Sequence, residues 1–368
     1  MKPRSLLAAA VLGLFMLQPV SNLAEASTAK VTKASAKPAP KKAVAKSSTK
    51  KKLAAKSAPR KAVSKTRAKP AAKNVQRVAV RMAPAAAATT ALMAPSAEAD
   101  DLPLALDANG LPELGSSAFY VVNPASGEVL LERNATSVVP IASITKLMTA
   151  MVVLDAGQSL SEPLTISNGD IDTLKGTGSR LAIGTTLTRE EMLHLALMSS
   201  ENRAASALAR HYPGGEQAFI EAMNVKARLL GLWNTRFHDS TGLNPANVSS
   251  PRDLAKMVSA SASYPLIREF STAQERYVDV RGRMTRFGNT NGLVKSPEWS
   301  ISVSKTGYIS EAGRCLVMQT WLHQQPVVMV LMDSTGRYTR TADAKRVRKW
   351  LEQAAAHRVA AAPIRREG

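Results

Sequence analysis

Eighteen of the chain's 49 Lys and Arg residues fall between residues 27 and 99, and a single acid, Glu98, stands among them. The stretch is dominated by Ala, Lys, Pro, Ser, Thr and Val without an aromatic residue, as in Lys41-Lys42-Ala43-Val44-Ala45-Lys46. Such a segment cannot bury enough apolar surface to offset the entropy of ordering it, and its own charge extends it. A disordered, Lys/Ala/Pro-rich basic linker over residues 27–110 is therefore expected. The fold must come from the residues after about Leu111. The formal net charge of +21 describes that tail, because residues 100–368 carry only +3. With 45% hydrophobic residues in 368, the chain as a whole is no disordered protein. One cysteine, Cys315, excludes an intrachain disulfide framework and a multi-cysteine metal site.

The first 26 residues read as a secretory signal peptide. Lys2 and Arg4 precede the apolar run Leu6 to Leu17, and Ala24-Glu25-Ala26 offers a small-x-small cleavage site before Ser27. That run is shorter than the roughly 18–20 residues that a spanning helix requires, which disfavours an uncleaved anchor. The periplasm is the expected compartment. Taken alone, the basic tail resembles the arms of linker histones, which neutralise DNA phosphates. Export makes nucleic acid an unlikely partner and favours anionic envelope polymers or lipids, with a plain solvated spacer as the alternative. A non-catalytic polyanion-binding envelope protein is the rival class of function.

Beyond Leu111, turn signals and periodic runs alternate. Ala118–Val122 and Glu128–Glu132 read as strands joined across Asn123-Pro124-Ala125-Ser126-Gly127. After Pro140, Ile144, Leu147, Met148, Met151 and Val152 recur at helical spacing. Thr188-Arg189-Glu190-Glu191 has the spacing of a capping box, continued by a buried helix through Met198. Ser250-Pro251 opens another helix. Trp299–Val303, Arg314–Leu322 and Val327–Met332 suit strands, and Val347, Trp350, Leu351 and Ala354 form the stripe of a closing helix. Strands at both ends with helices between them predict a sheet built from the two ends of the segment.

Three short signals could carry chemistry. S-x-x-K also occurs at Ser27, Ser47, Ser48 and Ser302, but only Ser143-Ile144-Thr145-Lys146 opens an amphipathic helix after a Pro-marked loop. There the two side chains share one face of the first turn, near the positive end of the helix dipole. Serine is a weak nucleophile until a base takes its proton, and Lys146 can be that base if burial keeps its amine neutral. A plain N-cap serine beside a surface lysine is the bland alternative. Ser200-Glu201-Asn202 follows the break of a helix, where a hydroxyl and an amide could shuttle a proton and hold a substrate amide; ordinary turn chemistry also fits. Lys305-Thr306-Gly307 ends the strand that begins at Trp299, and a chance match is expected on the order of 0.1 times in such a chain. Its glycine permits close backbone approach and its lysine can face a carboxylate.

The conjunction decides. Helix, loop and strand supply the three signals in the order one acyl-transfer site requires, and the set resembles that of the penicillin-binding serine DD-peptidases. The likeness extends through Gly176-Thr177-Gly178-Ser179-Arg180-Leu181, Leu195 to Ala205, Thr241-Gly242-Leu243 with Asn247-Val248-Ser249-Ser250, and Lys305 to Cys315. It is greatest for D-alanyl-D-alanine endopeptidases of the penicillin-binding protein 7 type, and covers about residues 111–355.

The resemblance implies an α+β, β-lactamase/DD-peptidase-like fold: an antiparallel sheet with flanking helices and a helical subdomain. A peptidase domain over 111–357 and a flexible tail over 358–368 follow. It implies attack by Ser143 on a D-alanyl bond of peptidoglycan, with Lys146 as base, Ser200 relaying a proton and Asn202 positioning substrate or lysine. Lys305, Thr306, Gly307 and Tyr308 would bind substrate, the amides of Ser143 and Tyr308 forming the oxyanion hole. β-Lactams would acylate Ser143, and no metal or cofactor is implied. Glu201 occupies a position where the family carries an acid, and could be merely solvated. Carboxypeptidase activity is the alternative within the family. Cys315 reads as buried filler, His211 and His238 as structural, and Arg314 as an ordinary ion-pair residue.

Overall fold

A computed structural model describes residues 104–360, with side chains to residue 354. The signal peptide and the basic linker through residue 103, and residues 361–368, lie outside the described part. Eleven strands and seven helices are numbered here in chain order. The strands of the central sheet are β1 (Ser116–Val122), β2 (Val129–Arg133), β9 (Ser300–Ile309), β10 (Gly313–Leu322) and β11 (Gln325–Ser334). Three small ladders pair β3 (Val139–Pro140) with β6 (Val248–Ser249), β4 (Pro163–Thr165) with β5 (Thr186–Thr188), and β7 (Glu275–Val280) with β8 (Arg283–Gly288). The helices are α1 (Thr145–Asp155), α2 (Arg189–Met198), α3 (Asn202–Arg210), α4 (Gly215–Leu229), α5 (Pro251–Ser261), α6 (Pro265–Thr272) and α7 (Thr339–Ala360).

The sheet is antiparallel in the order β2-β1-β11-β10-β9, so the first and last strands of the segment lie side by side, Ser116 opposite Ser334. Both faces are covered. Period-2 alternation sends Ala118, Tyr120, Val328, Val330 and Met332 towards the helical layer, and Phe119, Val121, Met329 and Leu331 towards Ala344 and Val347 of α7. Apolar residues on both faces explain why these strands read as continuous hydrophobic runs rather than clean alternation.

Helix α1 is buried from Thr145 through Val153 on all sides, which makes it the axis of the helical layer. The capping box is present: Thr188 accepts from the Glu191 amide and Glu191 accepts from the Thr188 amide. Ser250 caps α5, with Pro251 at its first position. Helix α7 is held to the sheet by the buried Asp343, which accepts from the Gly115 and Ser116 amides and the Ser116 hydroxyl at 2.7–3.0 Å. Residues 104–110, read as the end of the linker, form a turn with a Leu106–Pro112 bridge, and Trp350 Nε1 donates to Gly110 O at 2.9 Å.

Strand β9 differs from expectation. It runs on through the Lys305-Thr306-Gly307 triplet to Ile309, with Gly307 opposite Cys315 of β10. Glycine stands inside the ladder because of what approaches it from the other side, not because the strand stops there. Among the described residues β9 is an edge strand, and its free side faces the helical layer.

Candidate active site

Ser143 sits in a 3₁₀ turn, Ala142–Ile144, that leads into α1. Ala142 adopts φ 47°, a left-handed conformation that costs a non-glycine residue about 1 kcal/mol or more and persists only when its surroundings enforce it. They do so from three sides. Thr145 Oγ1 donates to Ala142 O at 2.8 Å, and Asn247 Nδ2 donates to Thr145 Oγ1 at 3.0 Å. Gly242, itself at φ 83°, packs so tightly that an added Cβ would stand 1.9 Å from Ala142 O. Gly307 brings the β9 backbone against the turn, where a Cβ would lie 3.0 Å from Ile141 O and 3.2 Å from Ser143 N. The glycine of the triplet therefore admits the nucleophile's own amide to the strand edge.

Lys146 is fully buried, and its Nζ has three partners: Ser143 Oγ at 2.9 Å, Asn202 Oδ1 at 2.7 Å and Thr241 O at 2.6 Å. Asn202 Oδ1 and Thr241 O can only accept. A neutral amine has two N–H bonds to give them, and its lone pair is then left for the Ser143 hydroxyl proton. Burial pushes the Lys146 ammonium down to about 7, with the charges of Asp239 and Glu201 pulling the other way. The geometry and the acidity together make this amine able to accept the serine proton near neutrality.

Ser200 stands at φ 61° in the junction between α2 and α3, and Asn202 is the first residue of α3. Lys305 Nζ donates to Ser200 Oγ and to Thr306 O, both at 2.9 Å. It is buried, and burial, followed by the positive charges of Lys146 and Arg340, holds its ammonium well below the ordinary lysine range. Thr306 Oγ1 donates to Thr290 Oγ1 at 2.7 Å. Tyr308 is largely exposed, its ring under the Arg314 guanidinium at 4.4 Å. Sequence elements more than 150 residues apart thus come together, Gly307 of the triplet lying against the Ser143 amide, with two buried amines each bonded to a serine hydroxyl.

Glu201 is not solvated. It is buried, Ser179 Oγ donates to it at 2.7 Å, and Arg180 lies 3.8 Å away. Burial pushes its carboxyl above the ordinary glutamate range, while the Ser179 hydrogen bond and the nearby cations oppose the shift. A solvated Glu201 is ruled out by residues 179 and 180, which lie against its carboxylate and are not announced by any local pattern. Asn202 Nδ2 donates to Thr177 Oγ1 of the same loop at 3.0 Å.

One functional candidate had no sequence signal. Arg340, near the start of α7, donates from Nη1 to Gly307 O at 3.1 Å and places a half-buried cation behind the substrate strand. Only tertiary structure brings it there. Arg314 stacks on Tyr308 rather than forming an ion pair among the described contacts. Burial pushes the Cys315 thiol up to about 11, the behaviour of a core filler.

The acidity of Lys146 has a direct consequence. The free amine is the competent form, so the acylation rate should climb as pH rises through about 7 and level off above it. Glu201→Gln removes a charge that raises Lys146, so the acid limb should move to lower pH. Rates of penicillin acylation across about pH 5–9 read both effects. A profile unchanged by the substitution would separate Glu201 from the base.

The sequence profile of peptidase family S11, D-alanyl-D-alanine carboxypeptidase, matches residues 106–336. The chain belongs to this family. Among S11 relatives, the D-alanyl-D-alanine endopeptidase of Pseudomonas aeruginosa is 49% identical over 248 residues, which cover 66% of this chain and 80% of that protein. The endopeptidase of Escherichia coli is 48% identical over 243 residues, covering 66% and 78%. Of solved structures, the Streptomyces K15 DD-transpeptidase superimposes with a TM-score of 0.60 at 30% identity, covering 65% of this chain and 97% of that one. The S11 fold is the α+β arrangement expected from the resemblance, with an antiparallel sheet, flanking helices and a helical layer.

Proposed function

We propose that the protein is an exported serine D-alanyl-D-alanine endopeptidase that opens D-alanyl cross-links of peptidoglycan through an acyl-enzyme on Ser143. The observation that supports this most is the buried Lys146 amine, 2.9 Å from Ser143 Oγ with its other N–H groups already committed. Oγ attacks the carbonyl carbon as its proton passes to Lys146. The amides of Ser143 and Tyr308 receive the oxyanion, a pair whose members are each worth about 3–4 kcal/mol in acyl transfer. Ser200, bonded to the depressed Lys305 amine, gives its hydroxyl proton to the leaving nitrogen and is refilled with the proton held on Lys146, so the C–N bond breaks and Lys146 is again a free amine. Water then reverses the sequence, with Lys146 again the base. The carboxylate of the leaving D-amino acid is held by Thr306, Lys305 and Arg340. β-Lactams enter by the same attack and leave slowly.

The endopeptidase branch is favoured by the names of the relatives at 49% and 48% identity. Purified muropeptides decide it. Dimers should fall to monomers, whereas release of D-alanine alone would make the protein a carboxypeptidase. The same expressing cells test the export and tail readings. The mature chain should begin at Ser27, appear among periplasmic proteins, and dissociate from anionic envelope polymers or lipids as salt rises. A chain retaining Met1 in the cytosol would overturn export, and salt-insensitive retention would overturn the tail reading.

A further inference from the structure

The turn that carries Thr241 is wound around one half-buried carboxylate. Asp239 Oδ1 accepts from the Thr241 and Gly242 amides at 3.1 and 2.7 Å and from Asn247 Nδ2 at 2.8 Å. Its Oδ2 accepts from Thr241 Oγ1 at 3.0 Å and from the Leu243 and Asn244 amides at 3.2 and 2.9 Å. These donors are all neutral, and they outnumber the roughly four lone pairs that a carboxylate offers, so both oxygens are needed. The winding reaches the reacting groups at two points. Thr241 O is aimed at Lys146 Nζ, 2.6 Å away, and Gly242 is pressed against Ala142 O. Asn247 is fully buried and completes the link, because its Nδ2 also meets Thr145 Oγ1, one residue before the base.

Charge adds a second effect. No cation is among the described hydrogen-bond partners of Asp239, and its charge opposes burial at Lys146 more strongly than that of Glu201 does. The titratable groups facing Lys146 are Asp239 from this turn, Glu201 from the α2–α3 junction and Lys305 from β9; His238, beside Asp239, is exposed. When the Ser143 O–H bond breaks and its proton arrives on Lys146, an ammonium forms in a buried place. A carboxylate already fixed nearby stabilises that charge as it develops. Resting on the assignment of Ser143 and Lys146 in the endopeptidase reading, we infer that Asp239 is a positioning residue for acyl transfer. Its turn orients the base and the nucleophile, and its charge supports the ammonium that proton transfer creates. It has no described hydrogen bond to Ser143 or Lys146 and acts through the groups between.

Penicillin acylation rates of the full chain across about pH 5–9 test this, each expressed per site that prolonged labelling can fill, so that unfolded protein drops out. Asp239→Asn loses the charge and one accepting oxygen. Its plateau rate should fall by about tenfold as the turn shifts. Its acid limb should move down by about one pH unit, because the ammonium of Lys146 loses a stabilising charge. At acid pH the variant should therefore keep a larger fraction of its own plateau than the wild type does. Asp239→Ser, which also lacks the charge, should move the limb the same way and carries the test where Asp239→Asn does not fold. Asp239→Glu restores the charge on a longer arm, so its plateau should fall while its limb returns to the wild-type position. An aspartate that only shapes the turn would lower the plateau of all three variants and move no limb, which would overturn the inference. A wild-type plateau in Asp239→Asn would overturn it as well. A wild type that penicillin never acylates would instead remove the assignment of Ser143 and Lys146, and the inference with it.

Discussion

Ser143→Ala should abolish covalent penicillin labelling and lower hydrolysis on the order of 10⁵-fold, the scale seen when a serine nucleophile is removed from an intact acyl-transfer site. The effect should be confined to chemistry. The Ser143 side chain is only half-buried, and the hydrogen bond with Lys146 is the one described for its hydroxyl, so the turn keeps its supports from Thr145, Asn247 and Gly242. Mass spectrometry after incubation with penicillin reads the adduct, and thermal unfolding reads the scaffold. An adduct that persists would move the attacking oxygen elsewhere, with Ser200 the first alternative. A lost adduct with an unchanged melting temperature is the expected pair of results.

Gly242→Ala should damage both site and scaffold without touching a reacting atom. The residue sits at φ 83°, where a side chain adds about 1 kcal/mol of strain, and the new methyl would overlap Ala142 O at 1.9 Å. Backbone must move, and the backbone in question carries Ser143. A misplacement of about 1 Å costs an acylation step about 100-fold, and the overlap should cost roughly 2–3 kcal/mol of stability. Gly127→Ala is the matched comparison. It has φ 76° but nothing within 4 Å of an added Cβ, so only the conformational strain of about 1 kcal/mol should appear. Acylation at the wild-type rate in Gly242→Ala would mean that the contact at Ala142 does not set the position of the nucleophile.

Much of this was legible before any coordinates. Burial on both faces of the sheet writes long apolar runs, so β1, β10 and β11 stood out, and a fully enclosed helix explains why Ile144 through Val152 were so apolar. The cap at Thr188 could be read because capping is local chemistry. The hairpin of β7 and β8 could not. Val278 and Phe287 are its buried apolar residues, while most neighbouring positions are charged or exposed, so the stretch resembles a polar loop. The triplet at Lys305 is visible in the sequence, but its glycine reads as the end of a strand, because a glycine required by close approach and one that terminates a ladder look alike in sequence. The burial of Glu201, and Arg340 altogether, escape a reading of sequence for a related reason. Their environments are built by residues 177–180 and by the start of α7, and no local pattern announces either.

The pairing of the first strand with the last, together with the Asp343 clamp, has a consequence for the timing of synthesis. A ribosome completes Ser143 and Lys146 long before it makes the strand bearing Lys305, and Arg340 comes later still. Until those late residues arrive, the nascent polypeptide holds its hydroxyl and its base without a wall to press substrate against. Competence to cut therefore waits on the last elements of the fold, wherever the chain folds, and a chain cut short before Ser300 holds its hydroxyl and its base without the strand that faces them.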